Sequence, residues 1–543
     1  MAVGRTWVCV VVLMLAGRAW GAAPDVTSLF PAGGQQGTTV SVTIQGKVGD
    51  GAVRVWSSNA GVSVTLPEKP GPVSVTIAPQ ADPGVSWLRF YNDEGASALR
   101  PFIVGACHEI TEVEPNDDVG KAQPLPELPV VVNGQHGKGG DADSFAVFLR
   151  KGQVLVATML ANRVLGSPQD AVLQILSPRG FVLEQNEDDH GFDPQIAFTV
   201  PADGIYTLRT WAFPAAPDSS IRLFGSPACV YRLLVTTGPF VDHTLPASVE
   251  AGAPVQVHLK GWNVPETPLT LQPPTSALGN RFTWPLAGWS GRLPTTVTVQ
   301  PHAVIVEQEP NDLARAQHAT IPFGATGRIG EPRDVDAYRF AARKGQKLRF
   351  DVIARDADSP LDPVLSLYDS AGKLLKEADD DGKQSADPDI EFAIPADGDY
   401  RAAITDRFLH GGERFVYTLN VTDAQPDFTL SVAADVLVLR PDAELETAVT
   451  VTRTSGFAEE IRLSASGLPT GVSVEYVPSE SKGDSAKTAK LKLKSDGQSA
   501  FSGPLQIVGI PGGSATRAKN VTFGQKAFQF DSPHLWLTVL KKP

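Results

Sequence analysis

The stretch "DPQIAFTVPADGIYTLR" occupies Asp193–Arg209, and "DPDIEFAIPADGDYRAA" occupies Asp387–Ala403. In each, apolar and polar residues alternate up to a Pro-Ala-Asp-Gly turn, and a second alternating run begins near the tyrosine. Alternation with a period of two predicts a half-buried strand on either side of the turn. The turn has a mechanism of its own: Pro sets φ, Asp is expected to bond locally, and Gly supplies positive φ. Strand, turn and strand, written twice, make this an all-β chain.

The repetition extends outward from that turn. "DADSFAVFLRKGQ" from Asp141 answers "DVDAYRFAARKGQ" from Asp334, and "SPQDAVLQILSPRG" from Ser167 answers "SPLDPVLSLYDSAG" from Ser359. Upstream, "TEVEPNDDVGKAQPL" from Thr111 answers "VEQEPNDLARAQHAT" from Val306. The pairs Glu112/Glu307, Asp143/Asp336, Asp170/Asp362 and Tyr206/Tyr400 keep register to within three residues, which is duplication rather than chance. The two repeats span about 107–238 and 305–424. Segments 24–106 and 239–304 carry their own alternating runs, such as Val73-Val75-Ile77, and echo one another in "FPAGGQQGTTVSVTIQGKV" and "LPASVEAGAPVQVHLKGWNV". Residues 427–543 read as an immunoglobulin-type sandwich. Serial β-sandwiches are therefore expected: two jelly-roll-like repeats alternating with Ig/TIG-like units, closed by a C-terminal Ig-like unit. The length of 543 residues suits roughly three to five domains.

Residues 1–21 have Arg5 ahead of an apolar run and small residues at Ala19 and Gly21, the pattern of a secretory signal peptide. No later segment offers the ~18 uninterrupted apolar residues of a membrane span, so no membrane insertion is expected after cleavage. Export to the periplasm, the cell surface or the medium follows. The formal charge of −13 becomes more negative still once Arg5 and Arg18 are removed. Such a chain is poorly matched to nucleic acid, which needs basic patches, and better matched to hard cations. Cys107 and Cys229 bracket the first repeat, and in an oxidising compartment a bridge between them is the expected state, worth about 4–5 kcal/mol in the chain-entropy model.

The recurring hexapeptide Glu-x-Glu-Pro-Asn-Asp invites a chemical reading. In an extended chain Glu112 and Glu114 share a face, roughly 7 Å apart at the backbone, and Pro115 disfavours a helical Glu114. Asn116 and Asp117 add oxygen-bearing side chains, and Asp141 and Asp143 make a second same-face pair. Oxygen ligands with several carboxylates suit Ca2+ rather than zinc, since no His or Cys cluster accompanies them. Solvated turn acids or backbone caps remain the alternative. The acidic stretch from Glu377 opens like an EF-hand loop but has Pro388 where the bidentate Glu is required, so it reads as a polar hairpin turn.

Taken in order, Glu-x-Glu-Pro-Asn-Asp, Asp-x-Asp, Lys-Gly-Gln and Pro-Ala-Asp-Gly-x-Tyr resemble the bacterial pre-peptidase C-terminal domain, over about 250 residues in two copies. The alternation with Ig/TIG-like units resembles secreted multidomain proteins of planctomycete-type bacteria. The resemblance implies jelly-roll sandwiches, accessory to secreted proteases in most relatives, with Ca2+ held by the acidic linker and the Asp pair in some. On this chain those ligands are Glu112, Glu114, Asn116, Asp117, Asp141 and Asp143, then Glu307, Glu309, Asn311, Asp312, Asp334 and Asp336. The Asp-x-Asp spacing departs from that of the collagen-binding relatives.

A catalytic centre is not expected. The chain has neither a Gly-x-Ser-x-Gly elbow nor His-Glu-x-x-His, and His190 beside Asp188-Asp189 has no nucleophile near it in sequence. The expected function is non-catalytic, calcium-stabilised binding or adhesion to an extracellular protein or polysaccharide, with Trp211, Trp262, Trp284 and Trp289 as candidate stacking surfaces. A structural spacer, or an accessory factor of a secreted protease, is the alternative.

Overall fold

The computed structural model describes residues 22–48, 52–216, 222–275, 281–284, 288–382, 385–513, 518–525 and 530–542. The signal-peptide reading of residues 1–21 lies outside the described residues. The architecture is all-β, a series of paired sheets, each pair enclosing its own buried cluster. Among the described residues no helix is long and apolar enough to cross a membrane.

The two repeats fold alike. In the first, one sheet runs Gln123–Pro124, Asp143–Leu149, Gly204–Pro214, Gln169–Leu176, Val182–Asn186, and the facing sheet runs Gln195–Thr199, Val154–Leu160, Val230–Thr236, Val130–Gln135, His108–Thr111. In the second, the matching orders are Gln317–His318, Asp336–Ala342, Gly398–Asp406, Pro363–Tyr368, Leu374–Ala378, and Asp389–Ala393, Lys347–Ile353, Val416–Asp423, Phe323–Arg328, Val304–Val306. Alternation places Phe145, Val147 and Leu149 inward against Leu155, Ala157 and Leu233, and Tyr338 and Phe340 inward against Phe350 and Leu419. Burying such side chains, each worth about 1.5–3 kcal/mol, holds the sheets together.

The duplicated motifs resolve into clamps. The Asp of Pro-Ala-Asp-Gly reaches across the fold rather than bonding locally: Asp203 Oδ1 accepts from Lys151 N, and Asp397 Oδ1 from Lys344 N, both at 2.7 Å. Within the Lys-Gly-Gln turn, Gln153 and Gln346 accept from the backbone of Arg150 and Arg343. The motif tyrosines close the same corner, Tyr206 Oη donating to Ala202 O and Tyr400 Oη to Ala396 O, each at 2.7 Å. Asp193 and Asp387 accept from consecutive backbone N–H groups at 161–162 and 354–356, capping a short helical turn.

The expected disulfide is corrected: Cys107 and Cys229 are free thiols. Topology is the reason. Cys107 precedes the strand His108–Thr111 and Cys229 precedes Val230–Thr236, and these strands run in opposite directions on either side of Val130–Gln135. His108 aligns through Val130 with Val235, so Cys229 sits about 20 Å along the strand axis, where a bridge needs Cα atoms within about 7 Å. Cys107 Sγ lies instead 3.8 Å from Ser290 Oγ, and Cys229 Sγ 3.3 Å from Ser226 Oγ.

The units do not trail out as a string. Ala32 and Ile103 of the first unit pack on Leu165 and Val230, and Val131, Val156 and Leu234 pack on Phe240 of the third unit. Arg414 of the second repeat donates to both Asp189 oxygens at 2.8 Å and to Asp242 at 2.9 Å, while Arg163 pairs with Asp358 at 2.6 Å. Arg89 of the first unit is wholly buried and donates to Asp435 of the last at 2.7 Å, so these two units meet.

Candidate metal centres

Each hexapeptide runs along the edge of its sandwich and is pinned there by the glutamine that ends the motif. Gln123 Oε1 accepts from Val113 N at 2.7 Å while its Nε2 donates to Thr111 O at 3.2 Å; Gln317 makes the same two bonds with Gln308 and Val306 at 3.0 Å. Backbone N–H groups then orient the acids. Gln135 N donates to Glu112 Oε1 and Arg328 N to Glu307 Oε2, both at 2.8 Å. Asn116 N donates to Glu114 at 2.9 Å and Asn311 N to Glu309 at 3.0 Å. Gly137 N and Gly330 N hold Asp141 Oδ2 and Asp334 Oδ2 at 2.5 and 2.8 Å. The Glu114–Pro115 and Glu309–Pro310 bonds are cis, which replaces the simple extended course expected there.

The outcome is two matching acidic clusters. Carboxylate oxygens of Glu114, Asp141 and Asp143 lie within 4.8 Å of one another, as do those of Glu309, Asp334 and Asp336. Oxygens sharing one Ca2+ at 2.3–2.6 Å are at most about 5 Å apart, so the spacing fits. The buried oxygens are also unsatisfied: Asn116 Oδ1, Asp141 Oδ1, Asp143 Oδ1 and Asp336 Oδ2 have no hydrogen-bond partner. Asn311 faces its amide oxygen toward acceptors; turned over, its nitrogen would donate to Glu309 Oε2 at 3.2 Å and Asp336 Oδ1 at 3.0 Å. An oxygen among carboxylates is the orientation a cation favours, and the turned amide is the one its loss favours. The donor set therefore fits a hard divalent cation.

Four of the sequence-derived ligands stand elsewhere. Glu112 lies behind the cluster, where Tyr231 Oη donates to it at 3.3 Å and to Asp143 Oδ2 at 2.6 Å. Glu307 is likewise turned to the Arg328 backbone, beside Asp336 and the Tyr338–Tyr417 hydroxyl pair at 2.7 Å. Burial first, then the neighbouring carboxylate charge, pushes Glu112 and Asp336 well above the usual carboxylate range. Asp312 is spent on its own turn, accepting from Ala314 N and Arg315 N and pairing with Arg315. Asp117 is outside the group of converging acids. Of the supporting residues, Gln123 and Gln317 recur at the repeat offset, whereas Tyr231 and Tyr417 are matched only by strand pairing, opposite Gly134 and Gly327, and His136, 3.5 Å from Asp143, has Ile329 at its counterpart.

Comparison with known proteins bears on the second of these units. A model of the bacterial pre-peptidase C-terminal domain matches residues 334–406, from the Asp-x-Asp pair through the Pro-Ala-Asp-Gly-x-Tyr corner. Residues 334–406 are a pre-peptidase C-terminal domain. This kind of domain is non-catalytic and occurs in proteases. A probable subtilase-type serine protease of Deinococcus radiodurans is 40% identical over 97 residues, 17% of this chain; the match spans 13% of that protein's length. Among solved structures, the pre-peptidase C-terminal domain of a Bacillus anthracis collagenase aligns over 20% of this chain and 93% of its own at 12% identity and a TM-score of 0.17. PliG, a periplasmic inhibitor of g-type lysozyme from Aeromonas hydrophila, aligns over 24% and 98% at 14% identity and a TM-score of 0.16. The first repeat shares the strand order of the pre-peptidase C-terminal unit and repeats its clamps.

Proposed function

We propose that this is an exported, non-catalytic binding protein whose two duplicated sandwiches are each stabilised by Ca2+, and that the first repeat is a second copy of the pre-peptidase C-terminal domain. The observation that carries the reading is the pair of converging acidic clusters at equivalent positions, each with a buried aspartate oxygen that has no hydrogen-bond partner, on Asp143 and on Asp336. Glu114, Asn116, Asp141 and Asp143 would hold one ion, and Glu309, Asn311, Asp334 and Asp336 the other. The cation supplies positive charge to crowded carboxylates and so ties the acidic linker to the sandwich. The protein residues do the rest: backbone N–H groups and the glutamine clamp orient the acids before any ion arrives.

Binding is favoured over spacing by the buried Arg89–Asp435 contact, because these units dock on one another instead of extending in a line. The ligand class is an extracellular protein or polysaccharide. Service as accessory factor to a separately encoded protease is the second reading, and the protease relative favours it. Terbium, which replaces Ca2+ and is excited by nearby tyrosine, tests the metal reading directly. Two sites should light up, one sensitised beside Tyr231 and one beside Tyr417, and both should be quenched by Ca2+. No sensitised emission at millimolar ion would overturn the reading.

A further inference from the structure

The junction of the chain's first and last units encloses a cleft of about 380 Å3 that the metal centres leave unexplained. Its walls are Trp56 and Arg89 from the first unit and Ser466, Gln506, Asn520 and His534 from the last. Arg89 holds the two together: it donates to Asp435 at 2.7 Å, to His534 O and Ser97 O at 3.0 Å, and lies 5.7 Å from the Trp536 ring. Its charge is thereby matched by Asp435. Burial, then the Arg89 charge, lowers the His534 pKa. The walls consequently carry no net charge, and Pro504, Leu505, Pro533, Leu535 and Trp536 make much of their surface apolar.

One wall is aromatic. The Trp56 ring meets His534 at 58° and Trp536 at 65°, so neither ring lies flat on it. The indoles of Trp211 and Trp262 differ in this respect, since the guanidinium groups of Arg209 and Arg414 stand 5.6 Å over them. The other wall is a row of neutral hydrogen-bonding groups. Gln506 Nε2 donates to Asn520 Oδ1 at 3.1 Å and Ser466 Oγ donates to Gln506 Oε1 at 3.4 Å, which fixes the amides and leaves N–H and oxygen capacity for a ligand. An apolar ring opposite oriented amides, in a cavity of ligand-binding size, asks for a molecule with one C–H face and an edge of hydroxyls.

We infer that this cleft binds a neutral saccharide, a pyranose lying on Trp56 with its hydroxyls bonded to Gln506, Asn520 and Ser466. The inference rests on the reading of the chain as an exported binding protein and names where and what it binds. Because the walls come from two units far apart in the chain, the site exists only while the first and last units are docked.

The test is affinity electrophoresis of the full chain through gels containing hydroxyethylcellulose, mixed-linkage β-glucan, xylan or galactomannan, with polygalacturonate as the charged control. At least one neutral polymer should retard the protein and polygalacturonate should not. Trp56→Ala should abolish the retardation, and Gln506→Ala should weaken it on the order of tenfold. Phe181→Ala, an exposed ring of the first repeat away from the cleft, should migrate like the parent. If no neutral polymer retards the parent, or Trp56→Ala is retarded equally, the inference falls; Gln506, being exposed, decides the matter if Trp56→Ala does not fold. Retardation that survives Trp56→Ala would leave the binding-protein reading intact and remove only this cleft. Loss of calcium stabilisation with retardation retained would do the reverse.

Discussion

A carboxylate in this chain is defined by which backbone N–H faces it. Asp203 and Asp397 meet the N–H groups of Lys151 and Lys344 and do mechanical service at a corner. Asp143 and Asp336, at the far end of the neighbouring strand, keep a buried oxygen free and are ready for a cation. The two kinds should separate by experiment. Asp203→Ala and Asp397→Ala should each cost about 1 kcal/mol in denaturant unfolding, equally with Ca2+ and with chelator. Gln123→Ala removes both bonds that pin the hexapeptide, and by loosening ligands it does not itself supply should weaken ion binding at the first site roughly tenfold, as followed by terbium titration. An unchanged affinity in Gln123→Ala would mean the linker is rigid without its clamp.

At the scale of elements, the identical strand orders of the two repeats make each sandwich its own cooperative unit, with Phe340 central to one core and Phe145 to the other. Phe340→Ala should cost about 3–5 kcal/mol and shift the calorimetric transition of the second repeat alone. Between the repeats, His190 is buried against Arg414, and burial, then the Arg292 charge, pushes its pKa from 6.5 down to about 4. An unfolded chain binds a proton there that the folded chain refuses, so stability falls as pH drops from 6.5 toward 4, by up to about 3 kcal/mol. His190→Gln should flatten that part of the pH profile in chemical unfolding; an unchanged slope would show that the ring is charged in the folded protein. Much of this level was legible in the sequence, because alternating Val73–Ile77 and the twinned Pro-Ala-Asp-Gly corners encode strands locally. Contacts distant in the chain were not: nothing near Asp397 announces Lys344, and nothing near Glu114 shows that Asp117 turns aside. The proposed Cys107–Cys229 bridge failed for the same cause, since sequence order places the two at the edges of a repeat while antiparallel topology places them at opposite ends of a sheet.

The whole molecule is closed rather than linear, and the Arg89–Asp435 pair that closes it joins residues 346 positions apart. Breaking a buried pair by removing one partner typically costs 3–5 kcal/mol, here directed at the docking of the end units. Arg89→Ala should therefore enlarge the radius of gyration in small-angle scattering while leaving both repeats folded, and an unchanged radius would mean the Trp56–Trp536 contact suffices alone. Underneath this arrangement stands the claim that two cations stiffen two sandwiches. Scanning calorimetry of the full chain, with millimolar Ca2+ and with chelator, beside Asp141→Asn/Asp143→Asn and Asp334→Asn/Asp336→Asn, tests it most directly. Calcium should raise the melting of both repeats in the parent, and each variant should lose the rise in its own repeat only. A parent whose transitions are the same in Ca2+ and in chelator would contradict the claim and reduce the duplicated hexapeptide to turn chemistry.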